Sequence, residues 1–348
     1  MSAFGKGQGK GQGKGQGGAD SDLAGGEAGA ALSGAIAMTH DAIVNHWDPS
    51  NLCDPTKNAT FPPFSGPLED LTYLGNTNQA DLIDSLLHMS FSASGTDGEA
   101  VLQISGKPFV SLKRPPPQTF LCQLIYLRSY ADLRDDRINE IDLQIDDLMS
   151  FFGAIGMLNT GRRRHSLLLL GAVQRLAIML EMPVKHYCRA PRPIDYAPEV
   201  QPIIQTPDHS SFPSGHAIEA HAIATVLHYL MTGHSALEGV AANAMPFRLA
   251  QRIAVNRTIA GVHFPVDSLA GAVMGCALGD AIVALMQGGK LPDIEHKLNI
   301  DENPDFVRLE LLAHLTPTEA KTDIPQGSPI LTTFWDKAKA EWPSAGGA

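Results

Sequence analysis

Three short segments hold the residues of this chain best suited to chemistry. They are Lys185–Pro193 (K-H-Y-C-R-A-P-R-P), Pro213–His216 (P-S-G-H) and Asn256–Asp267 (N-R-T-I-A-G-V-H-F-P-V-D). Together they supply three cations (Lys185, Arg192, Arg257), a hydroxyl beside a glycine amide (Ser214, Gly215) and two histidines (His216, His263). Guanidinium groups match a tetrahedral oxyanion in bidentate fashion, and histidine exchanges a proton near neutral pH. The set can hold phosphate or vanadate, bond to its central atom and move a proton at its apex.

Local sequence signals position these side chains. Pro191 argues against helix through Arg192, so Lys185 is expected at a helix end and Arg192 in the turn after it. Pro213 and Ser214 suit a helix start, where free amides and the positive dipole end favour an anion, and Gly215 allows close approach. Arg257 is placed on a helix ending near Gly261, with His263 in the connection and Pro265 opening the next helix. Asp267 follows His263 by four residues, within reach of its second ring N–H, which would fix the tautomer. Each segment alone also fits a plain structural role: a basic helix end, an N-cap, a core histidine. Their joint order favours one shared site.

Apolar residues recur at helical spacing over 118–155, 165–182, 215–231, 247–261 and 267–286. The weak alternation over Val101–Leu112, around Gly106-Lys107-Pro108, predicts one small β-hairpin. The expected fold class is mainly α: a helical bundle with that hairpin and an irregular N-terminal segment. The expected organisation is a Gly/Lys/Gln-rich tail over 1–35, an irregular segment with the hairpin over 36–117, a helical catalytic core over 118–290 and a C-terminal extension over 291–348.

The chain has 348 residues, 44% hydrophobic, and a formal net charge of −11. That balance argues against nucleic acid as a partner, since such binders need a broad basic surface. Four cysteines without C-x-x-C spacing suggest free thiols rather than a zinc site or disulfide framework. No secretion signal is recognised, and the apolar runs Ser268–Met286 and Leu167–Leu180 carry Asp280 and Arg175. Both read as core helices, so the expectation is a cytoplasmic protein without a membrane span. Glu219 and His221 are expected on the exposed side of their helix, and Arg134 to Arg137 as a solvated charge cluster.

The three segments resemble the pattern K-x6-R-P, then P-S-G-H, then S-R-x5-H-x3-D of the superfamily of type 2 phosphatidic acid phosphatases and vanadium-dependent haloperoxidases. Asn256 departs from it, standing where the pattern has serine. The resemblance implies that Lys185, Arg192, Ser214, Gly215 and Arg257 hold the equatorial oxygens of the oxyanion. It implies His216 as the acid-base residue. His263 would be the axial vanadium ligand, or in a phosphatase the nucleophile that becomes phosphorylated.

The stretch Leu127–Ile141 resembles bacterial haloperoxidase-like proteins, and His209 stands where bromoperoxidases of the family have histidine. Met182 departs, standing where haloperoxidases have tryptophan. The expected activity is a haloperoxidase with vanadate as cofactor. Hydrogen peroxide, bromide or iodide and a small organic acceptor would be its partners, with a homodimer as the expected assembly. The alternative is a soluble phosphatase acting on phosphomonoesters through a phosphohistidine. A module that sequesters the anion without turnover is a third reading, disfavoured by His216.

Overall fold

Glycine spacing explains how closely the two central helices approach. In the computed structural model, α7 (Gly215–Thr232) packs along α10 (Pro265–Gln287), and nearly every residue of both is buried. Gly271, Gly275 and Gly279 face α7 one turn apart. A Cβ on Gly275 would lie 2.4 Å from the Ile218 carbonyl oxygen, and one on Gly271 2.5 Å from that of Ser214. Only glycine permits this separation.

The structure describes residues 64–288, 303–315 and 327–343 continuously, with short stretches between 34 and 61 and between 290 and 324. The expected tail over 1–35 falls almost wholly outside the described residues. Two compact units divide the chain, Met1–Gln79 and Ala80–Ala348. In the first, the buried Gln79 amide donates to the carbonyls of Leu71 and Leu74, at 3.0 and 2.8 Å. Every residue expected at the site belongs to the second.

The second unit is mainly helical, as expected. After α1 (Asn76–His88) come strands β1 (Phe91–Thr96), β2 (Glu99–Ile104) and β3 (Lys107–Lys113). The expected hairpin is β2–β3, turned by Ser105 and Gly106 with φ of 49° and 77°. Two positive φ values match the right-handed twist of the flanking strands. β1 adds a third antiparallel strand through Asp97-Gly98, and β5 (His296–Leu298) joins β3 in parallel. Strands β4 (Lys290–Pro292) and β6 (Lys321–Asp323) form a separate antiparallel pair.

The stretch read as helical over 118–155 is three helices, α2 (Pro117–Tyr130), α3 (Arg134–Asp146) and α4 (Met149–Gly156). Then α5 (Arg164–Cys188) runs through Pro183 without ending. The carbonyl that proline leaves unpaired belongs to Met179, an exposed residue, so water can satisfy it. Around α7 pack α5, α9 (Met245–Ile259) and α10. The short helices α6 (Pro193–Tyr196) and α8 (Ala236–Ala241) link them, and α11 (Arg308–Leu315) and α12 (Pro329–Ala340) follow.

Two expectations are corrected here. Glu219 and His221 are buried, because α7 has neighbours on every side and no solvent face. The expectation of no membrane span, and the cytoplasmic placement drawn from it, also fall. Both Arg164–Tyr196 and Pro265–Gln287 are long and apolar enough to cross a membrane. The ionisable residues that argued otherwise are each partnered: Asp280 accepts from the Ala236 amide at 3.1 Å, and Arg175 pairs with Asp84.

Candidate active site

Ser214 is the N-cap of α7, yet its hydroxyl does not cap the helix. An N-cap serine ordinarily spends its oxygen on an amide one turn on. Here the buried Oγ has no hydrogen-bond partner, and neither do Nε and Nη1 of the buried Arg257. Buried polar groups are nearly always satisfied. Three orphaned donors from two helices fit a tetrahedral oxyanion, whether phosphate or vanadate.

The remaining expected residues surround these atoms. Lys185, in the last turn of α5, donates to the carbonyls of Pro213 and Ser210, fixing the P-S-G-H turn. Arg192 follows in extended backbone as the N-cap of α6. It donates to the His209 and Val262 carbonyls at 3.0 and 2.8 Å, and its Nη1 lies 3.1 Å from His263 Nε2. His209 Nδ1 is 3.2 Å from Arg192 Nη2. Gly215 is the close-approach position: a Cβ there would lie 2.3 Å from the carboxylate of buried Glu181.

The connection between α9 and α10 orients His263. Gly261, with φ of 84°, ends the first helix, and Pro265 opens the second. Asp267 sits in the first turn of α10, its Oδ2 3.1 Å from His263 Nδ1. With Nδ1–H donating there, Nε2 carries the lone pair and faces Arg192. Ser214 N–H donates to the Asp267 carbonyl at 2.9 Å, so Asp267 ties two of the three segments together.

Both histidines are held neutral. Burial first, then the cations Arg192 and Lys185, keep His263 well below the ordinary histidine range. Burial and the Arg257 guanidinium bring His216 down to about 3, opposed by its contact with the Gln144 carbonyl at 3.0 Å. Burial, Lys185 and Arg192 lower His209 to about 4. A neutral His263 is a competent nucleophile, and a bound phosphate would return proton affinity to His216 by offsetting the cations.

Gln144, on α3, is the site residue that sequence reasoning missed. Fully buried, its Oε1 accepts from Asn256 Nδ2 at 2.9 Å and from Arg257 Nη2 at 3.2 Å. Arg257 Nη2 also donates to the Ile141 carbonyl at 3.0 Å. Asp135 and Asp136 are exposed, as expected of the solvated charge cluster. Arg134 donates to the Ile259, Val200 and Gln201 carbonyls and so secures the end of the helix bearing Arg257. No motif flags Gln144 or Arg134, since their partners lie more than sixty residues away.

The PAP2 superfamily profile matches residues 166–289, which contain all three segments. Decaprenylphosphoryl-5-phosphoribose phosphatase of Mycobacterium tuberculosis is 32% identical over 143 residues, 41% of this chain and 72% of that protein. The enzyme of the same name from Mycolicibacterium smegmatis is 33% identical over 118 residues, 34% of this chain and 59% of its own length. Among solved structures, a transmembrane PAP2-type phosphatidylglycerolphosphate phosphatase from Bacillus subtilis is similar at 21% identity and a TM-score of 0.33. That similarity covers 47% of this chain and 90% of that one.

The two mycobacterial relatives overturn the haloperoxidase expectation, and with it the peroxide, halide and organic-acceptor partners: both are named phosphatases. The motif could not make that choice, because both chemistries need the same oxyanion cradle, and Met182 already departed from the peroxidase pattern. From its segments and this similarity, the chain belongs to the PAP2 superfamily.

Proposed function

We propose that this chain is a phosphatase that hydrolyses phosphomonoesters through a phosphohistidine on His263. The observation that carries the reading is the buried trio of unpartnered donors, Ser214 Oγ with Arg257 Nε and Nη1, in a site whose histidine presents Nε2. The phosphatase names of the relatives support it.

Phosphate binding replaces the contact between Arg192 and His263 Nε2, turning the guanidinium to a phosphate oxygen. His263 Nε2 attacks phosphorus, the P–O ester bond breaks, and the leaving oxygen takes a proton from His216. Water then attacks the phosphohistidine, giving its proton to His216, and inorganic phosphate departs. Asp267 stabilises the charge that develops on the His263 ring. The donors that hold phosphate stabilise the five-coordinate state. Vanadate mimics that state, so in this reading it is an inhibitor of the site and not its cofactor.

The test is hydrolysis of an aryl phosphate by the full chain, with and without vanadate, and by His263→Ala. Hydrolysis is expected from the native chain alone, with competitive inhibition by vanadate at least about 100-fold tighter than by phosphate. Turnover surviving in His263→Ala would sink the reading.

A further inference from the structure

A cavity of about 550 Å³ adjoins the oxyanion site, and Lys185, Arg192 and His209 belong to both. Such a volume lies within the range of small-ligand pockets and exceeds what a phosphoryl group needs. Much of the remaining wall bears polar or charged groups: His186, Arg189, Asp195, Thr206, Asp208 and Ser210 line it. Met182, Ala190, Pro191 and Pro207 are its apolar contributors.

The polar groups have capacity to spare. Asp208 makes no hydrogen bond to another described residue, and Asp195 spends only Oδ2, on the Arg192 amide at 2.8 Å. His209 Nδ1 meets both Arg192 Nη2 and the Ser210 carbonyl, which leaves Nε2 available to a ligand hydroxyl, as donor or acceptor according to the tautomer. Carboxylates accept well from neutral hydroxyls.

We infer that this cavity is the leaving-group subsite and takes a polyhydroxylated alcohol, the sugar of a sugar phosphate, with Asp208 and Asp195 accepting from its hydroxyls. The inference rests on the phosphatase reading above. With phosphate in the cradle, the ester group extends into the adjoining cavity. In the transfer step, the P–O bond to the sugar breaks as His263 Nε2 bonds phosphorus, and His216 protonates the sugar oxygen.

The experiment compares kcat/KM of the full chain for ribose 5-phosphate, n-hexyl phosphate and p-nitrophenyl phosphate, then repeats it with Asp208→Ala. The native chain is expected to prefer ribose 5-phosphate over n-hexyl phosphate by roughly tenfold or more. Asp208→Ala is expected to lower the ratio of ribose ester to aryl ester by about tenfold. Equal or better use of n-hexyl phosphate, or an unmoved ratio in the variant, would overturn the inference. Binding of the ribose and hexyl esters to His263→Ala reads the subsite without turnover. Tighter binding of the ribose ester is expected there, and equal binding overturns the assignment. Absence of hydrolysis from the native chain with all three esters would instead remove the phosphatase reading.

Discussion

His263 Nδ1 and Asp267 Oδ2 stand 3.1 Å apart across one turn of chain, and the same Oδ2 accepts from the Phe264 amide at 2.9 Å. One carboxylate thus starts α10 and sets the histidine tautomer. Asp267→Asn keeps the size of the side chain but removes the charge that stabilises the developing imidazolium. The expected result is a fall in kcat of roughly 10²- to 10⁴-fold with little change in vanadate affinity. Steady-state kinetics on an aryl phosphate would show it, and an unchanged kcat would break the link between the pair and catalysis.

Gln144 serves Arg257 through its side chain and His216 through its carbonyl. Gln144→Leu therefore loosens the guanidinium while leaving the histidine contact. Asn256 Nδ2 loses its buried acceptor, at a cost of about 1–3 kcal/mol in unfolding free energy. KM is expected to rise about tenfold with a smaller change in kcat, a split that simple destabilisation would not produce.

Close packing of α10 on α7 places Ser214 beside Asp267. A Cβ on Gly271 would meet Ser214 O at 2.5 Å and Ala217 Cβ at 2.9 Å; one on Gly279 would meet Thr225 Cβ at 2.5 Å. Alanine at either position should cost about 1–3 kcal/mol by overpacking. Only Gly271→Ala pushes the P-S-G-H turn, so it should lose much more kcat/KM than Gly279→Ala. Equal losses would show that the spacing matters to stability alone.

Glu219 is buried on α7, accepts from Gln174 Nε2 at 2.9 Å, and is raised to about 8 by burial and then by Glu181. Its folded state therefore favours the protonated form over that of the unfolded chain. Stability from this residue is full below about pH 4.5 and is lost as pH rises towards 8. Glu219→Gln should match the native chain in denaturant midpoint near pH 4 and exceed it increasingly up to pH 8. A difference independent of pH would mean that Glu219 keeps an ordinary carboxylate in the fold.

Much of the site was legible because its signals are local. Pro191, Pro213 and Pro265 mark where helices cannot continue or must begin, and they put Arg192, Ser214 and His263 at helix boundaries, as the structure has them. The four-residue step from His263 to Asp267 was enough to pair them. The hairpin at Gly106 was readable from its turn. The strand before it was not, because F-S-A-S-G-T is poor in β-branched residues and only Asp97-Gly98 hints at a return.

Sequence by itself determined the helical class, the residues at the helix ends and a set of cations and histidines suited to an oxyanion, since each follows from residue type within a few positions. Tertiary structure decided what those residues touch. It buried Glu219 and His221, because α7 lies at the centre of the bundle, and brought Gln144 to Arg257 across 113 positions. It also left Ser214 Oγ and two Arg257 nitrogens without partners, and built a polar cavity beside them. Such facts depend on which faces of distant helices meet, and packing sets that through the summed contacts of the whole core, which no local spacing encodes.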